Sequence, residues 1–290
     1  MIAEIISKML EHNSIIVKSR LLSPSPALVM GILNVTDDSF YDGGRYTDDA
    51  AVLRRAEQIL REGADIIDVG AVSTKPGAAD ISVEEEWQRL EKPLALIAKY
   101  FPDAVVSVDT WRADIAQRSV EAGAAIINDV SGGTFDERMA EVVGRLQVPY
   151  VLMHTTAKPD KMQQQPLGED MLLTMMQFFA RQLAIFKEAG CVDLILDPGF
   201  GFGKTLEQNY FLMKNLSAFQ IFECPILVGI SRKSMIYKLL ETSPDEALTG
   251  TVVLNTLALQ QGASILRVHD VREAVEAVKV FNMYQMSNCK

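Results

Sequence analysis

The stretch VEAGAAIINDVSGG, residues 120–133, holds the pattern on which the fold prediction depends. Its Glu-Ala-Gly123 is typical of a helix end, because glycine directly after a helix adopts the left-handed conformation that turns the chain. An apolar strand is predicted at Ala124–Ile127, with Asn128 and Asp129 where it ends. The stretch therefore predicts a helix, a buried strand and a polar strand end in close succession.

The same helix end recurs as Arg-Glu-Gly63, Glu-Ala-Gly190 and Gln-Gln-Gly262. Around these stops, short apolar strands alternate with longer helical patterns from about residue 27 to the end. The predicted strands are Ala27–Leu33, Asp65–Val69, Ala104–Val108, Ala124–Ile127, Pro149–Met153, Asp193–Leu196, Pro225–Val228 and Ser264–Val268. The number of strands matches a closed parallel barrel, so we predict an α/β fold, a (β/α)8 TIM barrel.

The predicted helices include 48–62, 83–100, 112–121, 171–188, 207–216 and 271–286. A doubly wound open sheet also alternates strands and helices, and it is the main rival architecture. That fold would carry GxGxxG after its first strand, which this chain lacks. The glycines of DPGFGFGKT, residues 197–205, follow the sixth strand and do not have P-loop spacing.

The chain has 290 residues, which suits a single barrel domain at residues 27–290. Residues 1–26 are predicted to form a short helix and an extended segment, SIIVKSRLL, as an extension capping the barrel bottom. The charged N-terminus does not resemble a signal peptide, and no run of about 18 apolar residues predicts a membrane span.

Composition narrows the class of protein. The formal charge of −10 argues against a nucleic-acid partner, since phosphate backbones favour basic surfaces. Cys191, Cys224 and Cys289 are scattered, without the close spacing of a zinc site or a disulfide framework. These features predict a cytoplasmic globular protein with neither nucleic acid nor membrane as its partner.

Polar motifs follow all eight predicted strands, where a barrel of this type places its active site. Singly, each has a plain structural explanation, because strand-end Asp caps helices and Asn makes turns. In chain order the motifs are GILNVTDDSFYDGG, DVGAVSTKPG, SVDT, INDVSGG, LMHT, LDPGFGFGKT, GISRKS and RVHD. Together, and in this order, they resemble the signatures of the dihydropteroate synthase family from Met30 to about Asp270.

The resemblance implies a transferase of folate biosynthesis that condenses 6-hydroxymethyl-7,8-dihydropterin diphosphate with p-aminobenzoate. It also implies a target of sulfonamides. The residues it implies for pterin binding are Asp109, Asn128, Met153, Asp197, Lys233 and Arg267. Their chemistry suits a pterin edge, since carboxylates accept, an ammonium donates and an amide does both. A fixed carboxylate at Asp109 would also stabilise positive charge that develops as the diphosphate departs.

For the diphosphate, the resemblance implies Arg267 and His269, with Asn34 acting through Mg²⁺. A single amide oxygen suits this ion, which keeps several waters and takes few protein ligands when phosphates complete its shell. Arg267 can also stack its flat guanidinium on the pterin ring. His154 has the weaker motif, and we favour a structural role for it.

For p-aminobenzoate, the resemblance implies a pocket formed as two long loops close. Asp38 and Asp42 are the candidate catalytic acids of the first loop, beside Asp109 and Lys233 in the barrel. The residues implied for p-aminobenzoate are Phe40, Thr74, Lys75, Pro76 and Ser234. Asp37, Val72 and Lys75 depart from the usual family residues, and Lys75 lacks the forked donor geometry of the common Arg.

The implied mechanism needs no strong general base, because an aryl amine is already neutral near pH 7. Two other functions remain open: a methyltetrahydrofolate-dependent corrinoid methyltransferase that shares the pterin contacts, and a non-catalytic pterin-binding relative. The family often forms homodimers through outer helices, to which the apolar helix 171–186 could contribute, although ordinary barrel packing explains its apolar residues equally well.

Overall fold

The computed structural model describes residues 14–18, 20–24, 27–35, 49–72, 81–157, 167–168 and 170–287. The predicted N-terminal helix, the boundary at residue 26 and Cys289 lie outside this range. Within the described residues, no helix has the length and apolarity needed to cross a membrane. Cys191 and Cys224 form no disulfide. The cytoplasmic location stays a prediction.

Eight parallel strands form the barrel, and a short antiparallel hairpin precedes them. The hairpin is β1 (Ile15–Val17) and β2 (Arg20–Leu22). The barrel strands are β3 (Leu28–Asn34), β4 (Ile66–Gly70), β5 (Val105–Asp109), β6 (Ile126–Asp129), β7 (Tyr150–Met153), β8 (Leu194–Asp197), β9 (Leu227–Val228) and β10 (Ile265–Val268).

The spatial order is β8-β7-β6-β5-β4-β3-β10-β9, and a parallel bridge between Leu196 and Ile226 joins its two ends. The sheet is therefore a closed barrel, as the sequence predicts. The alternative prediction of an open doubly wound sheet is wrong. Most strands begin and end one or two residues later than predicted. The backbone ladder continues through polar residues at the strand ends, as in the pairing of Asp109 with Asn128.

The helices pack around the strands and cover their outward side chains. They are α1 (Asp49–Arg61), α2 (Val83–Tyr100), α3 (Ala113–Glu121), α4 (Met139–Leu146), α5 (Met171–Glu188), α6 (Leu206–Lys214), α7 (Ser234–Tyr237), α8 (Leu248–Gln260) and α9 (Val271–Met286). Helix α6 ends earlier than predicted, and a 3-10 helix, Leu216–Phe222, follows it.

The four predicted helix stops are confirmed, because each glycine has a φ angle that other residues rarely adopt. The values are 98° at Gly63, 102° at Gly123, 91° at Gly190 and 94° at Gly262. Each residue lies just past a helix and directs the chain into the next strand.

The interior of the barrel is filled in layers contributed by alternate strands. One apolar layer consists of isoleucines from β4, β6, β8 and β10, all at most 1% exposed: Ile66, Ile126, Ile195 and Ile265. Following the strand pairing by two residues toward the carboxyl ends leads to a polar layer from the same strands: Asp68, Asn128, Asp197 and Arg267. The polar layer thus rests on a dry, apolar floor.

The N-terminal hairpin closes the bottom of the barrel. Ile15 and Val17 are each 1% exposed and pack in the same cluster as Met30 and the isoleucine layer. The sequence predicts one extended segment here, whereas the chain reverses at Lys18, which has a positive φ of 47°. Lys18 also donates from Nζ to the Ala104 carbonyl at 3.3 Å.

Two glycines allow backbone strain to be compared with steric collision. A methyl at Gly123 would meet no atom within 4 Å, whereas one at Gly144 in α4 would lie 1.9 Å from the Ala189 carbonyl oxygen. We expect Gly123→Ala to cost about 1–2 kcal/mol of unfolding free energy from backbone strain alone. Gly144→Ala should cost more, because α4 and the turn after α5 must separate.

Urea denaturation of both variants measures this difference. A Gly144→Ala variant as stable as the parent would contradict the close packing of α4.

Candidate active site at the carboxyl ends of the strands

Arg267 lies at the centre of the polar layer and joins two buried carboxylates. Its Nε donates to Asp68 Oδ2 at 2.7 Å, and its Nη2 donates to Asp109 Oδ2 at 2.9 Å. The Asp68 and Asp109 side chains are 0% and 8% exposed. Burial acts to lower the Arg267 pKa, but these carboxylates raise it above the ordinary value. The guanidinium is therefore charged and oriented by contacts on two strands.

Asp109 retains an oxygen that could meet a ligand. Its Oδ1 is buried and has no hydrogen-bond partner among the described residues. Burial raises the pKa of Asp109 to about 7; Arg267 opposes the shift, and Asp68 adds to it. A cationic group bound next to this carboxylate would favour its charged form.

Asn128 and Asp197 complete the polar layer. Asn128 Nδ2 donates to Asp68 Oδ2 at 3.1 Å. Asp197 Oδ1 accepts from the Gly199 backbone N–H at 2.7 Å, which leaves its second oxygen for a ligand. Burial raises the Asp197 pKa, while Lys233 acts to lower it. Met153, paired with Asp197, is 2% exposed and contributes an apolar wall beside Trp111 and Val130.

Lys233 lies over the loop that follows β8. Its Nζ donates to the Phe200 carbonyl at 2.5 Å and lies 4.5 Å from the centre of the Phe202 ring. Burial lowers its pKa to about 8, although Asp197 and Asp109 act to raise it. Lys233 is therefore mostly protonated at neutral pH, although its pKa lies close to that pH.

Asn34 and His269 mark the side of the mouth predicted to bind the diphosphate. Asn34 is exposed at the end of β3. A Cβ atom added to Gly70 would lie 3.5 Å from Asn34 Oδ1 and 3.5 Å from Asp109 Cβ, so these two side chains flank the same glycine. Burial and Arg267 lower the pKa of His269 to about 4, so this histidine is neutral at pH 7. Its backbone N–H donates to Ser231 Oγ at 3.2 Å.

Ser234 begins α7, a helix of only four residues. The start of a long helix carries a partial positive charge, but so short a helix supplies little of it. Any contact from Ser234 to an anion must therefore come from its own hydroxyl and N–H groups.

The structure brings together the predicted residues of the barrel itself. Asp109, Asn128, Met153, Asp197, Lys233, Arg267, Asn34, His269 and Ser234 lie at the carboxyl ends of their strands or in the loops after them. The remaining predictions, Asp38, Asp42, Phe40, Thr74, Lys75 and Pro76, lie outside the described residues, as does Asp37.

The comparisons with known proteins agree with this geometry. A family model described as pterin binding enzyme matches residues 30–269. The dihydropteroate synthase of Escherichia coli (strain K12) is 44% identical over 254 residues, which cover 87% of this chain and 89% of the relative. The chain belongs to the dihydropteroate synthase family of pterin binding enzymes. The enzyme from Bacillus subtilis (strain 168) is 40% identical, covering 88% of this chain and 87% of that relative.

A solved dihydropteroate synthase shows the same fold. The Yersinia pestis enzyme, crystallised with a sulfonamide drug, has a TM-score of 0.89 at 39% identity and covers 94% of this chain and 100% of its own. The TIM barrel and the transferase class predicted from the motifs are therefore confirmed.

Two residues of the site were missed from the sequence. Asp68 lies inside the apolar strand β4, and counting the strand's inward positions would have found it. Lys204, in the quoted DPGFGFGKT, is 5% exposed, and its Nζ donates to the carbonyls of Gly199 at 2.8 Å and Phe202 at 3.0 Å. Burial lowers its pKa to about 7. Lys204 thus stabilises the loop after β8, whose Phe200 carbonyl accepts the hydrogen bond from Lys233.

His154 has the structural role that its weak motif favours. It is 3% exposed, its ring lies edge-on to Phe178 at 4.9 Å, and its Nδ1 is 3.4 Å from Lys204 Nζ. Burial and Lys204 lower its pKa to about 3. It is a neutral core residue that supports the loop after β8.

The raised pKa of Asp109 predicts how its stability contribution depends on pH. The unfolded residue titrates near 3.8 and the folded one near 7, so between these values the folded chain keeps a proton that the unfolded chain has lost. Stability from this group therefore falls as pH rises through that window. Asp109→Asn removes the titration. Between pH 4 and pH 7, the unfolding free energy of the variant should therefore rise relative to that of the parent by on the order of 3 kcal/mol.

Urea denaturation of both proteins across this range measures the difference. An identical pH dependence in the two proteins would show that Asp109 titrates normally in the folded state.

Proposed function

We propose that the enzyme joins 6-hydroxymethyl-7,8-dihydropterin diphosphate to p-aminobenzoate, giving 7,8-dihydropteroate and diphosphate. The observation that carries this proposal is the polar layer over an apolar floor, which together with Lys233 presents carboxylates, an amide and two cations at one barrel mouth. Known relatives support it, since a Xanthomonas albilineans dihydropteroate synthase with 4-aminobenzoic acid has a TM-score of 0.87 at 35% identity.

The pterin is held by groups whose donor or acceptor character is fixed. Asp197 accepts from the amino and ring N–H groups of the pterin edge, while Lys233, which can only donate, meets the carbonyl side. Asn128 pairs beside Asp197. Met153 supplies apolar contact, and the Arg267 guanidinium presents a flat face on which the ring can stack.

The reaction is a displacement at the methylene carbon of the pterin. The C–O bond to the diphosphate breaks first, and its electron pair leaves with the diphosphate. The amine nitrogen then forms a C–N bond to the resonance-stabilised cation. The nitrogen then loses its extra proton to water or to the released diphosphate. Positive charge spread over the pterin is stabilised by Asp109, whose free oxygen lies in the same mouth. Most of the rate increase comes from positioning and fixed electrostatics.

The departing diphosphate is met by Arg267 and by the neutral imidazole of His269, with Asn34 at the rim. Among the described residues, no group of three or more His, Cys, Asp or Glu side chains forms a metal site. A single exposed amide oxygen at Asn34 suits Mg²⁺, which binds mainly through water and substrate phosphates. When bound, this ion would neutralise negative charge that builds up on the leaving group.

Asp38, Asp42, Phe40, Thr74, Lys75 and Pro76 stay predictions for the two loops that would cover p-aminobenzoate. Ser234, at the start of α7, is proposed to help bind the p-aminobenzoate carboxylate through its hydroxyl and N–H groups.

A coupled diphosphate assay tests the function. Purified enzyme with dihydropterin diphosphate, Mg²⁺ and p-aminobenzoate should release diphosphate and yield dihydropteroate, and omission of p-aminobenzoate should stop formation of the product. Methyl transfer to a corrinoid without diphosphate release would favour the methyltransferase. Pterin binding without any turnover would favour a non-catalytic relative.

The role of Asp197 predicts a loss of pterin binding on its removal. Asp197→Ala leaves the paired donors of the pterin unmet, which should cost about 1–3 kcal/mol of binding free energy. Calorimetric titration with the dihydropterin measures it, with Asp193→Ala, directly before the same strand, as the matched control. Unchanged pterin affinity in the Asp197 variant would remove this residue from the site.

The role of Asn34 predicts a change in the Mg²⁺ requirement. Asn34→Ala removes the one oxygen proposed to bind the ion, so the Mg²⁺ concentration for half-maximal activity should rise about tenfold. Asn34→Asp keeps an oxygen ligand and should stay near the parent. Chelation of Mg²⁺ should stop turnover in all three proteins, and activity that survives chelation would contradict a role for the ion.

We also infer that the enzyme forms a homodimer. Helix α5 does not support the dimer, because packing within the barrel accounts for its apolar face: Met175, Phe179 and Phe186 are buried. Large apolar side chains are instead exposed on α8 and α9: Val253, Leu257, Val280 and Met283. An exposed patch of this kind favours pairing with a second copy. Light scattering should give twice the chain mass of 32.1 kDa.

A further inference from the structure

Asp68 is a buried member of the polar layer, and its contacts through Oδ2 are with other side chains of that layer. It lies in the middle of β4, is 0% exposed, and pairs in the sheet with Ile32 on one side and Ser107 on the other. Its Oδ2 accepts from both Arg267 Nε and Asn128 Nδ2. One oxygen thus links side chains from β10 and β6, which lie two strands away on either side.

This contact decides which end of the Asn128 amide is available to a ligand. A carboxylate can only accept hydrogen bonds, so Asn128 must direct its NH₂ group toward Asp68. An amide turned the other way would place two oxygens against each other in a buried site, with a desolvation cost and no hydrogen bond. The planar side chain then directs its oxygen away from Asp68.

The ion pair with Arg267 strengthens this constraint. Its Nε lies 2.7 Å from the same Oδ2, which keeps the carboxylate in a fixed rotamer. Arg267 is in turn held by Asp109. Asp68 therefore cannot turn to accommodate a reversed amide without losing a buried charged contact.

We infer that Asp68 is a positioning residue that sets the hydrogen-bond polarity of Asn128, so that the amide oxygen reads an N–H group on the bound heterocycle. This inference rests on the proposed pterin site. It assigns part of the selectivity for the pterin ring to a residue of the polar layer that acts through Asn128.

A double-mutant cycle tests whether Asp68 acts through Asn128. The ligand is 6-hydroxymethyl-7,8-dihydropterin, which lacks the diphosphate and so removes the contribution of Mg²⁺, and its affinity is measured by calorimetry. Asp68→Ala frees the amide to turn and should weaken binding about tenfold or more, which corresponds to about 1.4 kcal/mol. In the Asn128→Ala background, the same change should weaken binding by no more than about threefold.

Two further variants separate positioning from folding. Asp68→Asn still offers one oxygen but can also turn its own NH₂ toward Asn128, so it should weaken binding, though less than Asp68→Ala does. It carries the same cycle if Asp68→Ala does not fold. Ser107→Ala alters a neighbouring buried side chain, 0% exposed, and should leave the affinity unchanged.

Equal losses from the Asp68 change in both backgrounds would overturn the positioning role while leaving the function intact. No loss from either Asp68 variant would overturn it too. If the parent itself does not bind the dihydropterin, the proposed function fails, and the positioning role fails with it.

Discussion

The barrel mouth depends on an ion-paired cation, the largely buried Arg267 guanidinium between Asp68 and Asp109. Removing such charges from water is costly, and the cost is offset only where geometry and hydrogen bonding are good. Here the arginine donates to both carboxylates at normal distances, and Asp68 accepts a second hydrogen bond from Asn128. Asn128 is positioned through this arrangement, and Arg267 adds to the effect of burial in lowering the pKa values of Lys233 and His269.

The charge states show how burial adjusts side chains to the chemistry. His154 and His269 are both held neutral, whereas Lys233 and Lys204 have pKa values lowered by burial to about 8 and about 7. Asp109 titrates near 7 in the absence of a ligand. Groups whose pKa values lie close to neutral pH can change their charge when a substrate binds. This suits a reaction in which positive charge develops only as the diphosphate departs.

Much of the fold could be predicted from the sequence because its signals are local. The helix-stop glycines and the apolar runs lie within a few residues of each other, and they located every barrel strand to within about two residues. Helix α8 gave no such signal, since its apolar and polar side chains do not alternate with a helical period. The hairpin was missed because its turn uses Lys18, without the glycine or asparagine that usually marks a positive φ.

The site could be predicted where its residues stand at strand ends and not where they stand inside a strand. Asp109, Asn128 and Asp197 interrupt apolar runs, so motif reading found them. Asp68 stands within the apolar pattern IIDVG, which indicates only a strand. Lys204 stands within a glycine-rich stretch, which indicates only a loop. Their importance comes from contacts between distant strands, which depend on the barrel register and which no local pattern specifies.

The contact between Arg267 and Asp68 joins residues 199 positions apart in the chain. It can form only after β10 has docked beside β3 and the circle of strands is complete. Contacts of such long range come with a large loop-closure entropy and form late in folding. A nascent or truncated chain lacking its last strand would have Asp68 and Asp109 without their counter-ion, so ligand-binding competence is a property that this chain acquires only at the end of its synthesis.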